Sequence, residues 1–283
     1  MVHFLLRNSK EKVSLLMNIF EVDKVNVGGI PTACIDRKEL ANLIGEHCVN
    51  NKNEEIKKSI VIFSNNGHAI SIANTSSEAM KLLLQADLIH ADGQSVVTFS
   101  KWVKGRNIPE RTATTDMIHD IPNYFESNIN HFLLGCENDI VENACKLMSK
   151  RYKNFKISGF NDGFFSIEEE DEIIDKINSS RVDVLWVGLG KPKEQEFCIR
   201  NKEKLNVSVI ITCGGCYNYI TNDYPRAPVW MQKIGFEWLH RMSTNPRKLF
   251  YRYLTTNPHA VYCVIKNEII FMKNKNNSNI NGF

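Results

Sequence analysis

Apolar positions along the chain follow two rhythms. Six short runs, residues 59–63, 88–90, 131–134, 155–158, 184–187 and 207–212, have the length and β-branched content of buried strands. Between them apolar residues recur at helical spacing. Leu40, Leu43, Ile44 and Cys48 share one face behind the capping-box pair Asp36 and Glu39. Ile140, Val141, Ala144, Leu147 and Met148 share another within residues 137–151, and Ile173, Ile174 and Ile177 line an acidic helix that Ser166 and Glu169 are expected to cap. Thr75 and Glu78 predict the cap of a helix reaching about Gln85, and a further helix starts near Pro192. Residues 25–34, with Gly28, Gly29 and Pro31, predict a short hairpin, and residues 50–58 a polar loop.

Strands with no polar alternation, each followed by a helix, predict an α/β fold with a parallel sheet covered on both faces. Ligands of such sheets bind beyond the carboxyl ends of the strands. The glycine- or polar-rich turns lie there: Ser64 to Gly67, Asp92-Gly93, Gly135, Gly188 to Gly190, and Gly214-Gly215. Residues 25–245 form the expected catalytic unit, behind a peripheral segment 1–24. From residue 246 a basic, aromatic helix with Leu249, Phe250, Tyr253 and Leu254 in one arc begins an appendage. A mixed segment to Met272 and a polar tail expected to fray complete it.

The bulk numbers narrow the function classes. A net charge of +3 excludes a whole-chain polycation for nucleic acid. No stretch approaches the roughly 20 apolar residues needed to span a bilayer, and the N-terminus lacks a secretory pattern. The eight cysteines therefore read as reduced cytosolic thiols. Cys213 and Cys216 lack a second pair or a histidine at zinc spacing, so they read as small buried side chains in a glycine-rich turn, and no metal is expected.

The carboxylate at the exit of the second apolar-core strand, Asp92 followed by Gly93, is the candidate chemical centre, although Asp-Gly is also a turn dipeptide. Gly188 and Gly190 lack the third glycine of a dinucleotide fingerprint. Lys191, Pro192 and Lys193 stand there instead, where free N–H groups and lysines could hold a diphosphate, or where the turn simply carries two solvated lysines. Gln195 and Glu196 follow, Gln195 suited to a sugar or base. Ser64 and Asn66 suit sugar hydroxyls or a plain turn. Arg111 either pairs with Asp116 or meets a phosphate bidentately.

Together these motifs resemble the WecG/TagA/CpsF glycosyltransferases (glycosyltransferase family 26) from about residue 25 to 258. The most specific part runs from Arg226-Ala227-Pro228 through Glu237-Trp238-Leu239 and Arg241 to Pro246-Arg247 and Arg252-Tyr253. Ala91-Asp92-Gly93, Glu110-Arg111 with Asp116, and the Gly188 to Glu196 stretch match in order. The resemblance implies a Rossmann-like domain with a C-terminal appendage that docks on the membrane and completes the active site. It implies inverting, metal-independent transfer from a UDP-sugar, usually UDP-N-acetylmannosamine or its uronic acid. The implied acceptor is a polyprenyl-diphosphate-linked saccharide at the inner face of the cytoplasmic membrane, for a bacterial surface polymer. Asp92 is then the general base. Arg111, the Gly190 turn and an appendage arginine such as Arg252 meet the leaving diphosphate, and Arg226 and Arg247 belong to the binding set. Ser64 and Asn66 touch the donor sugar.

The chain departs from the pattern at several points. Thr114 stands for a glycine, Glu194 reads as an extra residue, Asn218 replaces an aspartate, Asn222 a glycine and Ser64 a threonine. Donor identity is therefore left open to another hexose or N-acetylhexosamine, and a homo-oligomer is left open as well. The appendage helix either lies on a bilayer or packs on the catalytic domain. The rival readings are a nucleotide-cofactor oxidoreductase and a non-catalytic membrane adaptor.

Overall fold

The structure, a computed structural model, describes residues 19–280 apart from residue 53, with side chains through residue 274 except that of residue 248. The expected peripheral segment therefore falls mostly outside the described residues. A 3₁₀ turn at Ile19–Glu21 leads into β1 (Lys24–Val27) and β2 (Ile30–Ala33), which form the expected hairpin. Helix α1 (Arg37–Asn50) opens with the full capping box between Asp36 and Glu39, and Leu40, Leu43, Ile44 and Cys48 are buried.

The alternating core follows: β3 (Ile60–Asn65), α2 (Gly67–Ala73), α3 (Ser77–Leu83), β4 (Leu88–Ala91), α4 (Gln94–Ser100), α5 (Thr114–Tyr124), β5 (Ile129–Gly135), α6 (Asn138–Arg151) and β6 (Phe155–Asn161). It continues with α7 (Glu170–Ser179), β7 (Val184–Gly188), α8 (Lys193–Asn201), β8 (Val209–Thr212) and α9 (Cys216–Ile220). Three short-range expectations shift. The cap of α3 is Ser76, whose hydroxyl accepts the Ala79 N–H, not Thr75. Helix α7 starts at Glu170, because Ser166 to Glu169 close a turn of their own in which the Ser166 N–H donates to the Glu169 carboxylate. Strand β6 runs three residues longer than its apolar run.

All six core strands pair in parallel, in the order β4-β3-β8-β7-β5-β6. Every residue of β3 and β7 is buried, as strands covered on both faces require. One face carries apolar side chains of α2, α3, α4, α7 and α8, the other those of α1, α5, α6 and α9. Neighbouring strands β3 and β8 thus send the chain to opposite faces, through α2 and α9. That divergence opens a crevice at their carboxyl ends, where such sheets bind ligands.

Beyond the sheet lie α10 (Val229–Lys233), α11 (Glu237–Thr244) and α12 (Pro246–Ile280). The expected mixed segment belongs to one helix that runs through Pro258 to Ile280, and the end of the expected polar tail, residues 281–283, lies outside the described residues. One face of α12, with Tyr253, Ala260, Cys263 and Val264, is buried. The helix is tied to α2 by Ser71 with His259 at 2.8 Å and by Asn267 donating to Asn74 at 3.1 Å. The other face leaves Leu254, Tyr262, Ile265 and Ile269 exposed. The packing reading therefore holds for one side of the helix. Within the expected arc Tyr253 is buried, but Phe250 and Leu254 are exposed. Among the described residues no helix is long and apolar enough to cross a membrane.

Candidate active site

Asp92 sits just past β4, and both its oxygens are engaged. Asn66, the N-cap of α2, donates its amide to Oδ2 at 2.9 Å, and the Thr114 N–H at the start of α5 donates to Oδ1 at 2.9 Å. Burial alone would raise this carboxyl. The neighbouring His90, the Asn66 amide, the Thr114 N–H and the Lys191 ammonium outweigh it and hold the pKa at about 2. Gly93 permits the turn: a Cβ there would lie 3.1 Å from that of Asn66.

The exits of β7 and β8 are joined by Glu194. One oxygen, Oε2, accepts the N–H of Gly190 and that of Gly214, each at 3.0 Å. Burial lifts this carboxyl to about 7, against the opposing pull of Lys191 and the two N–H groups. Both glycines have left-handed backbones (φ +78° and +50°), and a Cβ on either would meet open space. The Gly190 N–H expected to be free for a diphosphate is thus committed to Glu194. Lys191 extends to β3, donating to the Ser64 carbonyl at 2.9 Å and hydroxyl at 3.0 Å, and burial lowers its pKa. Ser64, Lys191 and Asp92 therefore border one patch of the crevice.

The arginines meet carboxylates. Arg111 donates to Glu237 of α11 at 2.5 Å, to Gln232 of α10 at 3.0 Å and to Asp116 at 3.5 Å. Asp116 also pairs with Arg226 at 2.5 Å and lies 4.0 Å from Arg37. Three arginines surround Asp116, so its carboxylate is an anchor for them. Arg111 is half-buried and fastens α10 and α11 over the site. Arg252 reaches the crevice from α12: it and Lys191 add to the burial that lowers His68 to about 4. Its Nε is buried and, among the described residues, unpartnered. Arg241 lies over the Tyr219 ring at 5.1 Å, close enough to feel the Asp92 charge.

Other expected residues serve the frame or stand apart. A Cβ on Gly135 would lie 2.3 Å from the Gly188 carbonyl, and one on Gly188 would lie 2.7 Å from the Gly214 carbonyl. These two glycines allow the strand ends to approach. Pro192 is the N-cap of α8, Gln195 is buried on its first turn and Glu196 points to solvent. Gly215 opens α9, and Arg247 is exposed on the first turn of α12. Cys213 and Cys216 are both buried free thiols whose pKa values burial pushes up.

Sequence reasoning missed His90 and Gln232 as parts of the site, and met Thr114, Glu194 and Glu237 only as motif positions without the contacts they make. Glu194 lies in the first turn of α8. Its signal was its spacing of four from Gly190, which places a first-turn side chain under the preceding turn. The spacing of two between His90 and Asp92 was a second signal.

Fold and crevice together define an α/β enzyme with a charged mouth at the strand exits. The model of the glycosyl transferase WecG/TagA/CpsF family matches residues 25–274, and the chain belongs to that family. It is a glycosyltransferase. Relatives include the N-acetylglucosaminyldiphosphoundecaprenol N-acetyl-beta-D-mannosaminyltransferases of Bacillus spizizenii (27% identical over 66% of this chain and 71% of the relative) and Staphylococcus aureus (27% over 64% and 71%). The Bacillus subtilis protein of the same name is 26% identical over 66% and 72%. Membership sets aside the oxidoreductase and adaptor readings.

Proposed function

We propose that the protein moves a sugar, with inversion and without a metal, from a UDP-sugar to a polyprenyl-diphosphate-linked saccharide during bacterial surface-polymer synthesis. The observation that carries this reading is Asp92: an ionised carboxylate fixed by two hydrogen bonds at the switch-point crevice, beside Lys191. The names of the relatives support the acceptor class, since each includes a diphosphoundecaprenol-linked N-acetylglucosamine.

In this reading the acceptor hydroxyl enters on the Asp92 side of the anomeric carbon and the diphosphate leaves on the other. A carboxylate with a pKa of about 2 is a weak base toward a free alcohol. It takes the proton late, when the forming C–O bond has made the hydroxyl acidic. Such assistance contributes roughly 10²–10⁴-fold. The bond from the sugar to the diphosphate breaks, and its electrons pass to UDP. Lys191 and Arg252, whose Nε has no hydrogen-bond partner among the described residues, are the cations for that charge, with Arg111 holding the cover in place. Ser64, Asn66 and Gln195 border the donor sugar.

The exposed faces of α10 to α12 support docking on the inner face of the cytoplasmic membrane. Trp230, Ile234 and Phe236 are exposed, as are Tyr251, Leu254, Tyr262, Ile265 and Ile269 of α12. Amphipathic surfaces of this kind enter the headgroup region, where each nearby Lys or Arg adds about 1 kcal/mol.

The test is a panel of UDP-sugars incubated with N-acetylglucosaminyl-diphosphoundecaprenol, with and without EDTA, reading UDP release and product anomer. Transfer that survives chelation and inverts the anomeric centre is expected. No transfer from any UDP-sugar would refute the donor class, and loss with EDTA the metal-free mechanism.

A further inference from the structure

We infer that His90 and Thr114 are positioning residues that aim a backbone N–H at Asp92; this rests on the reading that Asp92 receives the acceptor proton. His90 is fully buried on β4, two residues before Asp92. Its Nδ1 lies 3.2 Å from the Thr112 hydroxyl and its Nε2 3.4 Å from the Thr114 hydroxyl. Proton placement follows from the donors available. The Thr112 hydroxyl donates to the Ala91 carbonyl at 3.3 Å, so its oxygen accepts the His90 Nδ1–H. Nε2 is then left to accept from the Thr114 hydroxyl. Burial lowers His90 to about 4, which keeps the ring neutral at pH 7, as this pattern requires.

The consequence falls on Asp92. Residues 112–114 are pinned to β4 by the Thr112 N–H on the Ala91 carbonyl at 2.8 Å and by the two hydroxyls on the imidazole. Thr114 is also the first residue of α5, whose N-cap Ala113 offers no capping side chain. The Asp92 carboxylate takes that helix-end N–H, where the helix dipole also favours an anion. A glycine at position 114 would supply the same N–H without the tether. The threonine hydroxyl and the histidine replace backbone freedom with a fixed direction. Lys191, Glu194, Cys216, Tyr219 and Arg241 also sense the Asp92 charge, and they are common to every variant compared.

The test compares full-length Thr114→Val, His90→Leu and Thr114→Ser with the wild type. It uses whichever of UDP-N-acetylmannosamine, UDP-N-acetylglucosamine and UDP-glucose the wild type turns over fastest. Thr114→Val keeps the N–H and loses only the hydroxyl. It is expected to lower kcat roughly 10- to 100-fold with donor KM within about two-fold. It should also move the acidic limb of kcat upward in pH, because a misaimed N–H no longer favours the carboxylate. Thr114→Ser should restore both, and the Thr114→Val/His90→Leu double variant should be no worse than the more impaired single. In ¹⁵N-histidine NMR of the substrate-free protein, His90 should show the Nδ1–H tautomer, and its Nε2 resonance should shift in Thr114→Val. A Thr114→Val protein with wild-type kcat and an unmoved acidic limb would overturn the inference while Asp92→Asn stayed inactive. Wild-type turnover by Asp92→Asn, or no turnover of any donor by the wild type, would instead overturn the proposed function and this inference with it.

Discussion

Asn66 joins the candidate base to the helix that carries the appendage. Its Oδ1 accepts the Ala69 N–H and caps α2, while its Nδ2 donates to Asp92 at 2.9 Å. Helix α12 lies along α2, with Asn257 and Ala260 over Gly67. The two functions of Asn66 are separable. Asn66→Ser keeps a capping oxygen and loses the amide donor, so thermal stability should hold while kcat falls about ten-fold. Asn66→Ala should show the same loss of kcat plus about 1 kcal/mol of stability by denaturant unfolding.

Arg111 and Glu237 are 126 residues apart and form a half-buried pair, each side chain 15% exposed or less. Removing one partner leaves the other charge with fewer contacts in a poorly solvated place. Glu237→Ala should lower unfolding stability by roughly 3 kcal/mol. It should also speed trypsin cleavage at Lys233, because α10 and α11 lose their anchor. Unchanged cleavage would show that the cover is held by other contacts.

Glu194 makes a pH signature. Its folded pKa of about 7 lies above the ordinary 4.5, so above pH 4.5 the folded state holds more protons than the unfolded. Its contribution to stability is full below pH 4.5 and is lost as pH rises through 7. Glu194→Gln keeps an oxygen for the Gly190 and Gly214 N–H groups without the charge. The melting temperature of the variant relative to wild type should rise between pH 5 and 8, by the equivalent of up to roughly 3 kcal/mol. A difference that stays constant with pH would show that the carboxyl ionises freely.

Deleting residues 246–283 would remove the apolar face of Ala260, Cys263 and Val264 from α2, and so would disturb the fold as well as any docking. The sharper variant is Ile265→Ser/Ile269→Ser on the exposed side. It should retain the wild-type melting temperature and show a several-fold loss of cosedimentation with anionic vesicles. Wild-type vesicle binding would contradict the docking surface.

Strands were legible because a parallel sheet buried on both faces leaves continuous apolar runs, as β3 and β7 illustrate. Asp92, Gly190 and Gly214 were legible as strand exits. Glu194 was not, since a carboxylate on a first helical turn has the composition of a solvated one; only the two glycine turns, 24 residues apart, bury it. His90 was hidden inside an apolar run. The Arg111–Glu237 contact depends on the chain returning over the crevice, which no local pattern reports. The continuity of α12 was masked by Pro258, which faces solvent while Tyr253 and Ala260 on either side are buried and carry the helix past it.

The most direct measurement is the single-turnover rate of Asp92→Asn with a UDP-sugar and a lipid-diphosphate acceptor, alongside its affinity for UDP. Asparagine preserves the shape and an oxygen for the Thr114 N–H, so UDP binding and melting temperature should stay close to wild type. Transfer should fall roughly 10²–10⁴-fold. A folded Asp92→Asn protein that binds UDP and transfers at the wild-type rate would contradict the account.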